Sequence, residues 1–431
     1  MRDFGRSDNP RVQAQLDRLA ALSLPQGRLG LETIAALMAR LDNPHRALPP
    51  VFHVAGTNGK GSTCAFLRAC LEAEGYRVHV TISPHLVRYN ERIRLAGELI
   101  SDDLLAEVLT EVLDAGADLA PSFFEVTIAS AFLAFARVPA DACVVEVGLG
   151  GRFDATNVLE PAALAVCGIA ALGLDHERFL LAPEDGVPPE PMARIAFEKA
   201  GIAKAGVPLV SQRQDALEMG AIAAQAASAG AGLLLAGRDW HWASDGGALT
   251  YRDQAGTLDL PLPALPGAHQ AANAGLAVAM LRHQSRVPIS DAALAEGIGA
   301  ARWPARLQRL ADGPLTAGRA VWLDGGHNGQ AGAMLGEHFA NARLHLIIGM
   351  IDGKDPLALI EPLGPSLASI TAVPVPGHEW HPASAFGPAA RAAPDLPSAL
   401  AMVPEDGLPV LIAGSLYLAG EVLRINGEVP G

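Results

Sequence analysis

Alternation of short apolar segments with helical segments is the feature that most restricts the fold of this 431-residue chain. Segments such as Val51–Ala55 and Ala142–Val147 are almost wholly apolar, and helical spacing follows the first of them over Ser62–Glu74. Strands that are apolar on both faces are typical of parallel sheets covered by helices on both sides. We therefore predict an α/β protein.

The length of the chain suits two or three domains of roughly 100–200 residues each. We expect residues 1–298 to hold a large parallel sheet, with a helix over Ile195–Lys204. A second strand–helix alternation predicts a smaller α/β domain over residues 299–431. Polar and apolar residues alternate around Gly and Asp turns in Gly230–Leu262, which we interpret as a β-hairpin insertion.

Composition excludes several classes of partner. The chain is 50% hydrophobic and 18% charged with a net charge of −14, which argues against a nucleic acid or an anionic membrane as the main partner. No apolar run is long enough for a membrane span, and the N-terminus lacks the apolar core of a signal peptide. The four cysteines form no CxxC pair and are expected to be buried. We expect a cytoplasmic monomer.

The most informative segment is HVAGTNGKGST, His53–Thr63. A strand, a glycine turn, a lysine and hydroxyls that open a helix are suited to holding polyphosphate, because backbone N–H groups and the helix N-terminus attract anions. The segment departs from the usual phosphate-loop pattern, since Gly61 follows the lysine and Ser62 is displaced by one position. The alternative is an ordinary strand–turn–helix with a surface lysine. The predicted nucleotide-binding residues here are Gly56, Thr57, Asn58, Gly59, Lys60, Gly61 and Ser62.

Three residues at strand ends are candidates for a metal site. Glu146 ends an apolar strand, where ligands of parallel sheets bind and where a carboxylate needs a cation or a hydrogen bond. A carboxylate oxygen suits Mg²⁺; the alternative is a glutamate that forms a salt bridge at a strand end. Taken alone, Ser83 would be a turn residue and His176 a structural histidine.

Several segments, in order along the chain, resemble the folylpolyglutamate synthase/dihydrofolate synthase family of the Mur-ligase superfamily. After the glycine loop come SPHLVRYNERI (Ser83–Ile93), FFEVTIASAFLAF (Phe123–Phe135) and VEVGLGGRFDATNV (Val145–Val158). They are followed by LDHERFL, AFEKAGI, HQAANA, RWPARLQ, LDGGHN, GMIDGKD and AGSLYLAG. The resemblance implies a P-loop ATPase domain like the central domain of Mur ligases, followed by a Rossmann-like ligase domain.

The resemblance also implies roles for individual residues. It makes Ser83, Glu146 and His176 ligands of Mg²⁺, and Asn273, Arg306 and Asp324 contacts of ATP. It implies that Lys199 is carbamylated, and it makes the catalytic set Lys60, Lys199, Arg306 and His327. The chain departs from the family in a longer Pro-rich segment, 180–191, before Lys199, and in Gly326, where the family usually has alanine.

For the pterin substrate, the resemblance points to three short segments. They contain Gly30, Leu31 and Glu32, then Phe123, Phe124 and Glu125, and then Arg152, Phe153, Asp154 and Ala155. Stacked aromatic rings suit a flat heterocycle, but packing of an apolar helix into the core would explain the phenylalanines equally well.

The function implied is ATP-dependent amide ligation. Dihydropteroate, or a folate that already carries glutamate, would be phosphorylated on its carboxylate and would then react with L-glutamate. We expect both acceptors to be used; the alternatives are a monofunctional folylpolyglutamate synthase and another Mur-superfamily ligase with a different carboxylate substrate. A peptidoglycan ligase is disfavoured because only 52 residues precede His53. A P-loop kinase and an inactive binding module are disfavoured by the ordered later motifs and by the retained Lys60, Glu146 and Lys199.

Overall fold

The computed structural model describes residues 5–22, 30–174, 177–245 and 247–431. The chain forms two compact units. Unit 1 contains the described residues up to Pro84, together with Tyr89–Ala264 and Gln270–Arg302. Unit 2 contains His85–Arg88, Leu265–His269 and Trp303–Gly431.

Unit 1 is built on a sheet whose eight strands run in the order β4-β3-β2-β5-β1-β6-β7-β8 within the described ranges. These strands are β1 (Val51–Ala55), β2 (Val78–Thr81), β3 (Ile93–Leu95), β4 (Glu98–Leu99), β5 (Ala142–Glu146), β6 (Leu164–Ile169), β7 (Pro208–Ser211) and β8 (Gly232–Leu235). The predicted parallel pairing is confirmed for the neighbours β2-β5-β1-β6-β7. Strand β8, which the sequence analysis assigned to the hairpin insertion, also pairs in parallel with β7. The short strands β3 and β4 were not predicted, and they add an antiparallel edge.

Helices cover this sheet and bury its apolar side chains. They are α1 (Pro10–Ala20), α2 (Glu32–Arg40), α3 (Lys60–Ala73), α4 (Asp102–Ala115), α5 (Phe123–Arg137), α6 (Glu177–Leu180), α7 (Pro191–Ala200), α8 (Ala216–Ala229), α9 (His269–Arg282) and α10 (Asp291–Ala300). All residues of β1, β5 and β6 are buried. The sheet therefore fixes the loops that follow these three strands, and those loops carry most of the candidate site.

Two predictions for unit 1 were wrong in detail. The predicted helix over Ile195–Lys204 is α7, which begins earlier because Pro191 occupies its first turn and the Glu190 side chain accepts a hydrogen bond from the Ala193 N–H. The helix ends at Ala200, with Gly201 as its C-terminal cap.

The predicted hairpin insertion is also smaller than expected, because β8 joins the main sheet. The remainder forms an antiparallel sheet of β9 (Trp240–Asp245), β10 (Ala248–Asp253) and β11 (Gly256–Pro261).

Unit 2 is a smaller α/β layer structure. Its described strands run in the order β12-β13-β17-β14-β15-β16 and are parallel except for β12. They are β12 (Gln308–Arg309), β13 (Val321–Leu323), β14 (Leu344–Ile348), β15 (Leu367–Ala372), β16 (Arg391–Ala392) and β17 (Val410–Ala413). The helices are α11 (Gly329–His338), α12 (Leu357–Leu363), α13 (Leu396–Ala401) and α14 (Leu416–Asn426), and apolar clusters lie against both faces of the sheet.

None of the helices in the described ranges is both long enough and apolar enough to cross a bilayer.

Candidate active site

The glycine loop joins β1 to α3 as the sequence predicts. Gly56 and Gly59 have backbone φ angles of 150° and 84°, in the region that favours glycine. A methyl group on Gly56 would lie 2.8 Å from Ala170 Cβ, and one on Gly59 would collide with Asn273 Oδ1. Both glycines are therefore required by conformation and by close packing, and α3 begins directly after them at Lys60.

Hydrogen bonds to the loop after β6 hold the first part of the glycine loop. The Thr57 and Asn58 N–H groups donate to the Ala171 carbonyl over 2.8 and 3.1 Å. Thr57 Oγ1 donates to the Gly173 carbonyl over 2.9 Å. The Thr57 and Asn58 N–H groups, which the sequence analysis assigned to nucleotide binding, are therefore already bonded within the protein. The glycine loop still offers the N–H groups of Lys60, Gly61 and Ser62. These N–H groups belong to the first turn of α3 and lack partners within the helix.

Two lysines reach carbonyl groups of this loop. Lys60 Nζ donates to the Thr57 carbonyl over 3.3 Å, and Lys199 Nζ donates to the Gly56 carbonyl over 2.9 Å. Lys199 is only 3% exposed, although it belongs to α7, far away in the sequence. The structure thus brings the two predicted catalytic lysines to one loop, beside the N-terminus of α3.

Glu146 lies at the carboxyl end of β5, opposite Val54 of β1, and is buried. The Ser83 N–H donates to Glu146 Oε2 over 3.4 Å, so these two predicted metal ligands are neighbours. Burial raises the pKa of the Cys64 thiol well above its usual value, the Glu146 carboxylate raises it further, and Lys60 lowers it. Because β1 leads into the glycine loop, the position of Glu146 opposite Val54 sets a buried carboxylate beside the start of that loop.

These oxygen donors fit Mg²⁺, which takes few protein ligands and completes its shell with water and phosphate. In the part of the chain that the structure describes, no group of three or more His, Cys, Asp or Glu side chains is arranged to hold a metal. A site with few protein ligands is consistent with that finding. The third predicted ligand, His176, lies outside the described residues.

Asn273 packs directly against the phosphate loop and belongs to a chain of buried amides. Gln212 Nε2 donates to Asn273 Oδ1, and Asn273 Nδ2 donates to Gln270 Oε1, both over 3.1 Å. Its predicted contact with ATP stays a prediction, because the amide of Asn273 is already bonded on both sides. The sequence motif HQAANA gave no sign that Gln270 and Gln212 support Asn273.

Phe123 and Phe124, two of the predicted pterin-side aromatic residues, are partly buried and pack against the main core. A methyl group on Gly148 would collide with the Phe124 ring, which therefore lies on the loop after β5. The Phe123 ring meets Tyr89 edge to face at 6.2 Å, and the Arg92 guanidinium lies 5.5 Å from the centre of the Phe123 ring. Tyr89 and Arg92 were not predicted, because only the tertiary structure brings them to Phe123.

Some predicted pterin contacts already have internal partners. Glu125 caps α5: its Oε2 accepts from the Ser122 N–H over 2.8 Å, and its own N–H donates to Ser122 Oγ over 3.3 Å. This capping box follows from the sequence Ser-Phe-Phe-Glu. The Glu32 carboxylate folds back over Gly30, whose added methyl group it would meet. Leu31 and Ala155 contribute to the same apolar core as Phe123.

Asp154 shapes the loop after β5 from inside. It is 3% exposed, its Oδ2 accepts from the Leu149 N–H over 2.8 Å, and its Oδ1 accepts from the Thr156 N–H over 3.0 Å. Thr156 Oγ1 donates to Asp154 Oδ1. The same hydroxyl forms a hydrogen bond with His53 Nε2 over 2.9 Å. Burial raises the pKa of Asp154 and lowers that of His53 to about 3. The hydrogen bonds favour a scaffolding role for Asp154.

Arg152 also has strong internal partners. Its guanidinium forms ion pairs with Glu184 and Glu198 and lies 4.2 Å from the centre of the Phe153 ring. A direct contact between Arg152 and substrate stays a prediction.

In unit 2, Asp324 and Arg306 lie together. Asp324 accepts from the Leu307 N–H over 2.8 Å and from the Gly326 N–H over 2.7 Å. Burial raises the pKa of Asp324, and the Arg306 guanidinium opposes that rise. Ala305 and Leu307, on either side of Arg306, have positive φ angles of 56° and 44°. The backbone that presents Arg306 is therefore strained, and the Asp324 carboxylate holds it.

His327 and His269 complete this region of unit 2. His327 Nδ1 lies 3.3 Å from the Gly325 carbonyl oxygen. His269 was not predicted; burial lowers its pKa to about 4, with Arg306 and His338 adding to the effect. It is neutral near pH 7, so Arg306 is the stronger positive group there.

Gly326 replaces the alanine that the family usually has, and this structure leaves no room for the alanine side chain. A methyl group at this position would lie 2.6 Å from Ala331 Cβ and 2.8 Å from Asp324 Oδ1. Alanine would fit here only if α11 moved.

Comparison with known proteins identifies the family, although no protein-family model matches the chain. A dihydrofolate synthase/folylpolyglutamate synthase of Escherichia coli (strain K12) is 36% identical over 332 residues, covering 76% of this chain and 73% of its own length. The solved structure of E. coli FolC in complex with DHPP and ADP has a TM-score of 0.86 and 30% identity, covering 97% of this chain and 98% of that one. A bifunctional folylpolyglutamate synthase/dihydrofolate synthase with Mn, AMPPNP and L-glutamate bound has a TM-score of 0.83 and 30% identity, covering 98% and 99%. The chain belongs to the dihydrofolate synthase/folylpolyglutamate synthase family.

Proposed function

We propose that this protein is an ATP-dependent ligase that joins L-glutamate to dihydropteroate and to folates already carrying glutamate, with release of ADP and phosphate. The observation that carries the proposal is the meeting of Lys60 and Lys199 at the glycine loop, with the buried Glu146 at the end of the neighbouring strand β5. The solved relatives bind the same classes of molecule: ADP, an ATP analogue, L-glutamate and, in the FolC complex, DHPP.

The first step brings a negatively charged carboxylate onto the negatively charged triphosphate of ATP, so the reaction depends more on neutralising these charges than on acid–base catalysis. The acceptor carboxylate attacks the γ-phosphorus of ATP, the bond to ADP breaks, and an acyl phosphate forms. The amine of glutamate then attacks the acyl carbon, and inorganic phosphate leaves as the amide forms. Lys60 and the first N–H groups of α3 are placed to bind the phosphates at the glycine loop.

Glu146 and Ser83 would hold Mg²⁺, with His176 as a third ligand from outside the described residues. Bound there, the ion would supply positive charge to the phosphate oxygens. Burial of Glu146 keeps its carboxylate away from bulk water, and its position opposite Val54 sets it near the start of the glycine loop.

We propose that Lys199 is carbamylated in the working enzyme. Its neutral amine would add CO₂ and lose a proton, which replaces an ammonium group by a carbamate. The carbamate nitrogen keeps one N–H, so the bond to the Gly56 carbonyl can persist. Labelled bicarbonate should give a carbamate carbon signal by NMR that is absent from Lys199→Arg; the same signal in that variant would place the carbamate elsewhere.

The remaining predicted residues divide between the two units in this proposal. In residues 1–298, Phe123, Phe124 and Phe153 would contact the pterin ring, and Asn273 would contact ATP. In residues 299–431, Arg306 and Asp324 would contact ATP and His327 would take part in catalysis. The free, buried cysteines support a reducing compartment, and we propose the cytoplasm.

A coupled assay of phosphate release tests the function. Release should require ATP, glutamate and an acceptor together, and mass spectrometry should show the acceptor extended by one glutamate. Dihydropteroate and a reduced folate monoglutamate are compared side by side. Activity with the folate alone would support a monofunctional folylpolyglutamate synthase; a relative from Lacticaseibacillus casei at 31% identity is named folylpolyglutamate synthase. Phosphate release without glutamate would refute ligation.

A further inference from the structure

Four charged side chains form a cluster at the loop after β5, residues 147–154, in unit 1. Arg152 and Arg194 both pair with Glu184 and with Glu198, and the formal charges of the four groups cancel. The side chains of Arg194 and Glu198 are 7% and 6% exposed, and those of Arg152 and Glu184 are 19% and 18% exposed. Removal of one member would leave a charge unbalanced in a mostly buried place.

Arg152 is held from several sides. Its Nε and Nη2 donate to the two oxygens of Glu198 over 3.1 and 2.8 Å, and its Nη1 donates to Glu184 over 3.1 Å. Its guanidinium lies 4.2 Å from the centre of the Phe153 ring and 4.9 Å from that of Phe197. The two carboxylates and two rings fix the plane of the guanidinium.

Glu184 comes from the Pro-rich segment between α6 and α7, which is longer than the family resemblance implies. Arg194 of α7 bonds this segment through Glu184 at 2.9 Å, and it bonds the end of α6 through the Leu180 carbonyl at 3.1 Å. The segment is thus fastened to α7 by charged groups.

The same helix delivers Lys199 to the phosphate loop. The Arg152 N–H donates to the Glu198 carbonyl over 2.8 Å, and a methyl group on Gly151 would lie 3.0 Å from Lys199 Cα. The backbone at Lys199 is therefore in direct contact with the loop that carries Arg152. A shift of the last turn of α7 would move Lys199 Nζ away from the Gly56 carbonyl.

We propose that Glu184 is a positioning residue: with Arg194 it fastens the segment 181–190 onto α7 and so holds Lys199 in place at the phosphate loop. The inference rests on the proposed ligase function, which it deepens. The segment then acts on the chemical step through Lys199, without touching substrate.

The test compares Glu184→Gln with the double variant Glu184→Gln/Arg194→Met. The single variant leaves a buried positive charge unbalanced, whereas the double variant restores neutrality but leaves the segment unfastened. We expect kcat to fall about tenfold or more in both, since misplacement by about 1 Å can cost about a hundredfold. KM for ATP should stay within about threefold of wild type, and the double variant should regain most of the lost thermal stability. Asp185→Asn, an exposed neighbour, is the matched control and should behave as wild type.

Recovery of kcat together with stability in the double variant would overturn the proposal, because Glu184 would then act only by balancing charge. A raised KM with unchanged kcat, or a wild-type kcat in Glu184→Gln, would also overturn it. Hydrogen–deuterium exchange of residues 191–201 gives a readout independent of activity. Faster exchange is expected in both Glu184 variants and unchanged exchange in the control. If wild type shows no glutamate-dependent turnover, the ligase function fails and this exchange alone decides the positioning role.

Discussion

Replacement of Gly59 by alanine is the most informative perturbation of the phosphate loop. Gly59 has a φ angle of 84°, and a left-handed conformation costs a residue with a Cβ about 1 kcal/mol. The new methyl group would also collide with Asn273 Oδ1. Displacing Asn273 would break its bonds to Gln212 and Gln270, each 3.1 Å long and each contributing about 1 kcal/mol.

We therefore expect the native loop to become less favourable by about 3 kcal/mol in Gly59→Ala. If nucleotide binds only that loop conformation, the Kd for ADP should rise by about two orders of magnitude. Isothermal titration calorimetry with ADP measures this directly.

Gly75 provides the control. It has a similar φ angle of 94°, but nothing lies within 4 Å of a methyl group placed on it. Gly75→Ala should destabilise the fold by about 1 kcal/mol and leave ADP affinity unchanged. A double-mutant cycle with Asn273→Ala tests the cause. In the Asn273→Ala background the collision is absent, so Gly59→Ala should lower the affinity for ADP by only about fivefold. An equal loss in both backgrounds would refute the collision as the cause.

The other predictions concern separate parts of the molecule. Glu146→Gln should abolish phosphate release while the circular dichroism spectrum stays that of wild type; full activity would remove Glu146 from the metal site. The pKa of His53 falls to about 3 on folding, so the native state favours the neutral ring. The contribution of His53 to the free energy of unfolding is therefore complete above about pH 6.5. It is lost by about 1.4 kcal/mol per pH unit as the pH falls toward 3. His53→Gln should flatten this acid slope in urea titrations, and an unchanged slope would contradict the assignment. Gly326→Ala should lower the thermal midpoint, and Gly326→Ala/Ala331→Gly should restore only part of it, because the 2.6 Å contact with Ala331 Cβ is relieved but the 2.8 Å approach to Asp324 Oδ1 remains.

The sequence predicts elements well where local signals agree. The loop His53–Thr63 combines an apolar strand, glycines at positions of positive φ and a helix start, and the structure has each of these. The error in α7 has a local cause as well. Glu190 and Pro191 are a capping residue and a first-turn proline, and these signals place the helix start better than apolar spacing does.

Contacts between residues that are far apart in the chain could not be predicted from the sequence. Nothing in the sequence near Asn273 indicates that its amide abuts Gly59, because the contact depends on how α9 packs onto the sheet. The same holds for Arg92 beside Phe123, and for Glu184 beside Arg152. Each of these contacts joins segments whose separation in the chain hides their proximity.

A motif residue can support a site without touching the ligand, and Asp154 shows how the structure separates the two roles. A charged residue that binds substrate needs free hydrogen-bonding capacity, but the Asp154 carboxylate accepts hydrogen bonds from the Leu149 and Thr156 N–H groups of its own loop. Lys60 differs, since its ammonium group lies at a helix N-terminus with a single long bond to the Thr57 carbonyl. Phosphate would replace that weak bond at little cost, whereas a ligand of Asp154 would have to break several strong ones. The loop after β5 therefore owes its glycines to close packing, since a methyl group on Gly148 would collide with Phe124 of α5 and one on Gly151 with the backbone of α7. In the glycine loop, Lys60 keeps an ammonium group that phosphate can reach.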